Sequence, residues 1–151
     1  MLFTEADLFA CCASHRWVKA VAGRRCRDLT ELREAGAAAL DDLEWPDVEE
    51  ALAAHPRIGD RVDGWSRAEQ SGMDDAASDV RAALIEGNRA YEDRFGHVFL
   101  ICATGRTAAG MLGDLRDRLG NGVEAERAVV RRELAKIVDL RLTRLAGERR
   151  S

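Results

Sequence analysis

The sequence predicts an all-α protein, a single-domain bundle of roughly seven to nine helices over residues 1–151. Three observations predict it. Alanine, leucine, arginine and glutamate dominate while proline occurs only twice, a composition that favours helix. Apolar residues recur at spacings of three and four in one segment after another, most with a capping residue ahead. The one run that reads as a strand, 98–103, has no second strand to pair with. Such a run is expected to be a buried extended or helical link, because periodicity alone does not separate the two.

The elements follow in order. Thr4 is placed to cap a first helix, with Asp7 three residues on and Leu8 and Phe9 starting an apolar face. Ser14 caps a second turn holding Trp17, Val18 and Val21, and residues 23–27 form a loop. Asp28 or Thr30 opens a third helix whose stripe is Leu29, Leu32, Gly36, Leu40 and Leu43. Gly36 interrupts that stripe and allows a neighbouring helix to approach closely. Trp45-Pro46-Asp47 starts the next helix, with Val48, Leu52 and His55 on one face. Pro56 stops it at His55, because a residue before proline avoids the α region.

Ser66 is expected to begin a short helix, and Asp74 or Asp75 a long one with Val80, Leu84, Tyr91 and Phe95 inward and Gly96 at its end. Thr107 caps a helix ending near Gly120. The last helix is expected over 123–146, with Val130, Leu134, Ile137, Leu140 and Leu145 facing in.

Composition also excludes functions. Apolar residues make up 46% and charged residues 33%, and the net charge is −4 with both signs interspersed. A nucleic-acid binder shows a basic excess or patch. Only residues 141–150 are locally basic here, and on a terminal helix that reads as a solvated face. No nucleic-acid partner is expected. No apolar run reaches the roughly 18 residues of a membrane span, so no membrane partner is expected either. Cys11, Cys12, Cys26 and Cys102 fit neither a zinc pattern nor a disulfide framework. They read as small apolar residues in a reducing compartment. Glu5 and Asp7 break any signal-peptide pattern, and residues 148–151 do not match a peroxisomal ending. The expected compartment is the cytoplasm.

Two neighbouring segments carry most of the candidate chemistry. His55-Pro56-Arg57-Ile58-Gly59-Asp60 places an imidazole at a helix end in a stiff turn. The partial negative charge of a helix C-terminus favours imidazolium, and a histidine titrating near neutrality is the usual general acid or base. The competing reading is a partly buried, merely satisfied histidine. Ser66-Arg67-Ala68-Glu69-Gln70 follows. Ser66 and Glu69 have capping-box spacing, which is the favoured reading of the pair taken alone; for an anionic ligand, the free amides at that helix start are the alternative use. The third block is Asn88-x-x-Tyr91-x-x-Arg94-Phe95-Gly96, in which core aromatics and a glycine cap account for Tyr91, Phe95 and Gly96. The apolar run through Ile101, Cys102 and Ala103 into Thr104 and Gly105 either lines a pocket with backbone N–H groups or is plain core. His15 and His97 have no partner nearby in sequence, there is no phosphate-cradling glycine loop, and no metal site is expected. Arg141 lies one residue from the Ile137/Leu140 stripe, where it reads as a surface arginine within reach of a pocket edge.

Taken together, these blocks resemble the 2-oxo-4-hydroxy-4-carboxy-5-ureidoimidazoline (OHCU) decarboxylases. The resemblance begins at Phe9-x-x-Cys12-x-Ser14-x-x-Trp17 and runs through the His55–Gly59, Ser66–Gln70 and Asn88–Gly96 blocks. It continues at Phe99 to Gly105, Arg118-Leu119-Gly120-Asn121, Glu133-x-x-Lys136-Ile137 and Leu140-Arg141-Leu142. It implies an all-α fold, usually a homodimer, that uses neither metal nor organic cofactor and converts OHCU to (S)-allantoin and CO2 late in urate oxidation. It implies His55 and Glu69 as catalytic residues. It implies a substrate pocket from Pro56, Ser66, Arg67, Ala68, Glu69, Gln70, Ile101, Cys102, Ala103, Thr104, Gly105 and Arg141. The chain departs from the family at Arg24-Arg25-Cys26, where Arg-Pro-Phe is frequent, and its His-to-Glu interval is shorter than in some relatives. The competing class is a helical binding module: a non-catalytic relative, in which His55 and Glu69 would be structural, or a small transcription factor with a basic recognition helix.

Overall fold

The computed structural model describes residues 3–59, 64–74 and 76–150. Among them are eight α-helices: α1 (Glu5–Cys11), α2 (His15–Ala22), α3 (Leu29–Asp41), α4 (Trp45–Leu52), α5 (Gly64–Glu69), α6 (Ser78–Phe95), α7 (Ala108–Leu119) and α8 (Val123–Arg150). A 3₁₀ turn, Ser71–Met73, follows α5. The all-α expectation holds, and the helix count lies within seven to nine. No described helix is long and apolar enough to cross a membrane. The chain forms two compact units, one of Met1–Ala54 with Leu134–Ser151 and one of His55–Glu133.

In the first unit the capping residues act as their chemistry dictates. The Thr4 hydroxyl accepts the Asp7 N–H while the Asp7 carboxylate accepts the Thr4 N–H, a reciprocal capping box. Ser14 caps α2 through the Trp17 N–H, and Asp28 caps α3 through the Glu31 N–H. Trp17 is fully buried, and its indole N–H donates to the Gly36 carbonyl at 3.0 Å. A Cβ on Gly36 would lie 2.7 Å from Leu142 Cδ1. Gly36 is therefore the close-approach point that the stripe of α3 suggested.

In the second unit α6 packs on α7 around Leu84, Tyr91, Phe99, Met111 and Leu115. Gly87 permits the approach, since a Cβ there would meet Leu115 Cδ2 at 2.3 Å. Gly96 ends α6 with φ +79°, a left-handed cap that glycine adopts without penalty.

Four expectations need correction. α4 ends at Leu52 rather than His55, because Ala54 N–H turns back to the Ala51 carbonyl and closes the helix early. α6 starts at Ser78, since Asp74 instead caps the preceding 3₁₀ turn; Asp75 lies outside the described residues. α8 continues past Ala146 to Arg150. Leu140 is 42% exposed, whereas Leu134, Val138, Leu142 and Leu145 are buried. Leu140 sits two positions from both Val138 and Leu142, about 200° around the helix, so it faces away from their stripe. The run 98–103 forms neither helix nor strand; it is a buried irregular link carrying Phe99, Leu100, Ile101 and Ala103.

Candidate active site

His55 lies just past α4, half-buried, in a bend of the second unit. Pro56 after it is also half-buried. The turn is pinned at three successive residues. Arg57 Nε donates to both carboxylate oxygens of Glu92, at 3.0 and 3.1 Å. Ile58 is buried, and its carbonyl accepts from Asn88 Nδ2 at 3.1 Å. Gly59 has φ +94°, and its N–H donates to Gln70 Oε1 at 3.0 Å. Asp60 and residues 61–63 lie outside the described residues.

The Ser66–Gln70 block is not built as its spacing suggested. α5 begins at Gly64, so Ser66 is inside the helix and Glu69 is its last residue. The Ser66/Glu69 capping-box reading therefore fails, and with it the amide cluster expected to open at Ser66. The first residue of α5, Gly64, has φ +59°. Ser66 and Glu69 are half-buried, Arg67 and Ala68 are exposed, and Gln70 is buried.

The third segment is fixed by carboxylates of α8. Glu133 Oε1 accepts the Cys102 N–H at 3.0 Å. Arg118 Nη1 donates to the Leu100 carbonyl at 2.7 Å while its other nitrogens hold Glu126, Nη2 to Oε2 at 2.6 Å. The Arg118 guanidinium also lies over the Phe99 ring, 4.5 Å from its centroid. Tyr91 OH donates to Glu126 Oε2, and Asn121 Nδ2 donates to Glu126 Oε1 at 3.1 Å. Burial first, then the Glu126 carboxylate, pushes the Tyr91 phenol well above its usual range. Ile101 and Ala103 are buried, Cys102 is half-buried, and Thr104 and Gly105 are exposed in a turn closed by Arg106 N–H to the Ala103 carbonyl at 3.0 Å.

The structure brings these three segments together within the second unit. Gln70 ties the end of α5 to the His55 turn. Gly72 lies against the backbone just after Gly105: a Cβ there would fall 1.9 Å from the Arg106 carbonyl oxygen. Ile58, Met73, Ile101 and Ala103 share one buried cluster. Arg141 belongs to the first unit, where it is half-buried and its Nη1 donates to the Ala10 carbonyl at 3.3 Å. In that unit burial raises the thiols of Cys11 and Cys12 to about 12.

The sequence motifs include Asn88 and Glu133 without assigning either a role, and Glu126 lies outside every motif. A signal was present. Asn88 stands between Leu84 and Tyr91 at helical spacing, and Glu126 precedes Val130 and Leu134 at steps of four. A polar residue on an apolar stripe is buried for a partner.

Comparison with known proteins identifies the family. The family model for OHCU decarboxylase matches residues 4–143. The uric acid degradation bifunctional protein TTL of Arabidopsis thaliana is 34% identical over 109 residues, 66% of this chain and 34% of that protein. The chain thus spans about a third of that relative's length. A crystal structure of OHCU decarboxylase in the presence of (S)-allantoin superposes with TM-score 0.88 at 28% identity, covering 96% of this chain and 99% of the other. A crystal structure of (S)-allantoin synthase shares the fold, with TM-score 0.71 at 19% identity over 93% of this chain and 49% of that one. With the match running almost end to end, the chain belongs to the OHCU decarboxylase family.

Proposed function

We propose that this protein is a carboxy-lyase that converts OHCU to (S)-allantoin and CO2 in urate degradation, with His55 and Glu69 as its catalytic pair. The observation that carries the reading is the meeting of the His55 turn, the Glu69–Gln70 end of α5 and the 101–105 segment in one unit of a chain of this family.

The chemistry asks little of a cofactor. The bond from the ring carbon to the carboxylate breaks, and its electron pair moves toward the adjacent carbon–nitrogen double bond. The enol left behind becomes a carbonyl as the ureido-bearing carbon takes a proton on one face. The protein's tasks are to hold the leaving carboxylate, to move one proton and to present a single face. His55, in a turn pinned at three residues, handles that proton. Glu69 orients the imidazole or accepts from the hydroxyl and ureido N–H groups. Cys102 N–H is committed to Glu133, so the donors of this segment offered to the ring carbonyls are those of Ala103, Thr104 and Gly105. Positioned acid–base help of this kind contributes roughly 10²–10⁴-fold.

Pro56, Ser66, Arg67, Ala68 and Gln70 complete the pocket in this reading, with Ile101 lining it. The whole chain acts as one domain, works as a homodimer, and resides in the cytoplasm, where its four free cysteines stay reduced. The test is a coupled assay: OHCU is generated from urate by the two upstream enzymes, and its decay and the optical rotation of the product are followed. Faster decay with optical rotation of the sign of (S)-allantoin supports the reading. Decay at the uncatalysed rate to racemic product contradicts it.

A further inference from the structure

Ile58 C=O and Gly59 N–H are the two ends of one peptide group. Asn88 Nδ2 donates to the first at 3.1 Å, and Gln70 Oε1 accepts from the second at 3.0 Å. Two side-chain amides, from α6 and from the residue after α5, therefore grip a single peptide plane three residues beyond His55. Both are buried, Asn88 at 3% and Gln70 at 7% exposure. Gly59 φ is +94°, a value at which L side chains are strained, so the plane is set in an orientation that a side chain at position 59 would oppose.

Asn88 is costly to the fold. Its Oδ1 is buried with no hydrogen-bond partner among the described residues. An unsatisfied buried acceptor is destabilising, and the position, between Leu84 and Tyr91 on the inner stripe of α6, would suit leucine. The amide cannot be turned to relieve the cost, because Ile58 O requires the donor. A group kept in the core at such a cost and aimed at one peptide unit points to a role other than stability.

We infer that Asn88 and Gln70 act as a clamp that fixes the His55–Gly59 turn, making Asn88 a positioning residue for His55. The inference rests on the decarboxylase reading for its effect on turnover, but its effect on the imidazole is independent of that reading. Pro56 stiffens the near side of the turn and the clamp fixes the far side, so the ring is carried on a segment with both ends held. Loss of the clamp lets the turn shift. Misplacement by about 1 Å costs about 10²-fold in rate, with little effect on substrate affinity.

The experiment compares wild type with Asn88→Leu and Gln70→Met, each close in size and lacking the clamp atom. Two readouts are taken: kcat and KM for OHCU, and the ring resonances of histidine-labelled protein. The chain has three histidines, and His15, in the first unit and hydrogen-bonded to Glu50, serves as an unmoved reference. The expected result is folded Asn88→Leu with kcat down about 10²-fold, KM little changed, and His55 resonances shifted or broadened while those of His15 stay. Gln70→Met, at a residue that also belongs to the proposed pocket, is read through the His55 resonances, which should shift as they do in Asn88→Leu because both side chains hold one peptide group. Wild-type kcat and unchanged His55 resonances in a folded Asn88→Leu protein overturn the clamp. So does failure of both variants to fold, which would make the pair ordinary core hydrogen bonds. If wild type itself does not turn over OHCU, the decarboxylase reading falls, and the His55 resonances alone decide the clamp.

Discussion

Gly72 and Arg106 meet backbone to backbone, so closely that a Cβ on Gly72 would lie 1.9 Å from the Arg106 carbonyl oxygen. This contact sets the 3₁₀ turn after α5 against the segment leading out of Gly105. No side chain can rotate aside to admit a methyl group there. Gly72→Ala is therefore expected to force the two segments apart, to destabilise by about 1–3 kcal/mol and to lower OHCU turnover. Thermal unfolding and the coupled assay on the same sample check both effects.

The buried pair Arg118–Glu126 gives a second expectation. Both side chains are almost fully enclosed, at 8% and 0% exposure. Glu126→Gln keeps the volume and removes the charge, which leaves a guanidinium buried without its counter-ion. Such a loss costs about 3–5 kcal/mol. Urea unfolding should show it, and Arg118→Met combined with Glu126→Leu should cost less than Glu126→Gln alone.

Tyr91 is the single tyrosine of the chain, so its ionisation can be read without overlap from another phenol. Burial and the Glu126 carboxylate raise its pKa in the folded state, while the unfolded phenol titrates near 10. The stabilisation is thus complete below about pH 10 and is lost as pH rises beyond it. An absorbance titration at 295 nm should show no tyrosinate until the protein unfolds. Tyrosinate appearing near pH 10 in folded protein would contradict the buried contact.

The thiols should separate by burial. Cys11 and Cys12 are fully buried with pKa values raised to about 12, so very little thiolate is present at pH 8. Cys26 and Cys102 are half-buried. Peptide mapping after brief treatment with iodoacetamide should find label on Cys26 and Cys102 first, and on Cys11 and Cys12 only in denaturant.

Much of this was legible in the sequence because local chemistry decided it. Thr4 with Asp7, Ser14, Asp28 and Thr107 each cap a helix through a bond spanning three residues. Gly36 marked a close approach by interrupting an apolar stripe. What was not legible depended on distant partners. The starts of α5 and α6 are not legible, because Ser66 and Asp74 have capping side chains that the fold does not use for those helices. A step of three from Ile137 points Leu140 inward, whereas the buried stripe of α8 advances mainly by fours. The roles of Asn88, Glu126 and Glu133 are not legible because charged and amide residues read as surface until their partners, 30 to 35 positions away, are known.

The central claim is that the imidazole of His55 moves the proton in the loss of CO2 from OHCU. Its most direct test is the rate of OHCU decay and the optical rotation of the allantoin formed, for wild type and His55→Ala at equal concentration and with fold verified by circular dichroism. The account predicts rapid, stereospecific conversion by wild type and decay indistinguishable from the uncatalysed reaction for His55→Ala. Turnover of the folded His55→Ala protein at the wild-type rate would contradict it.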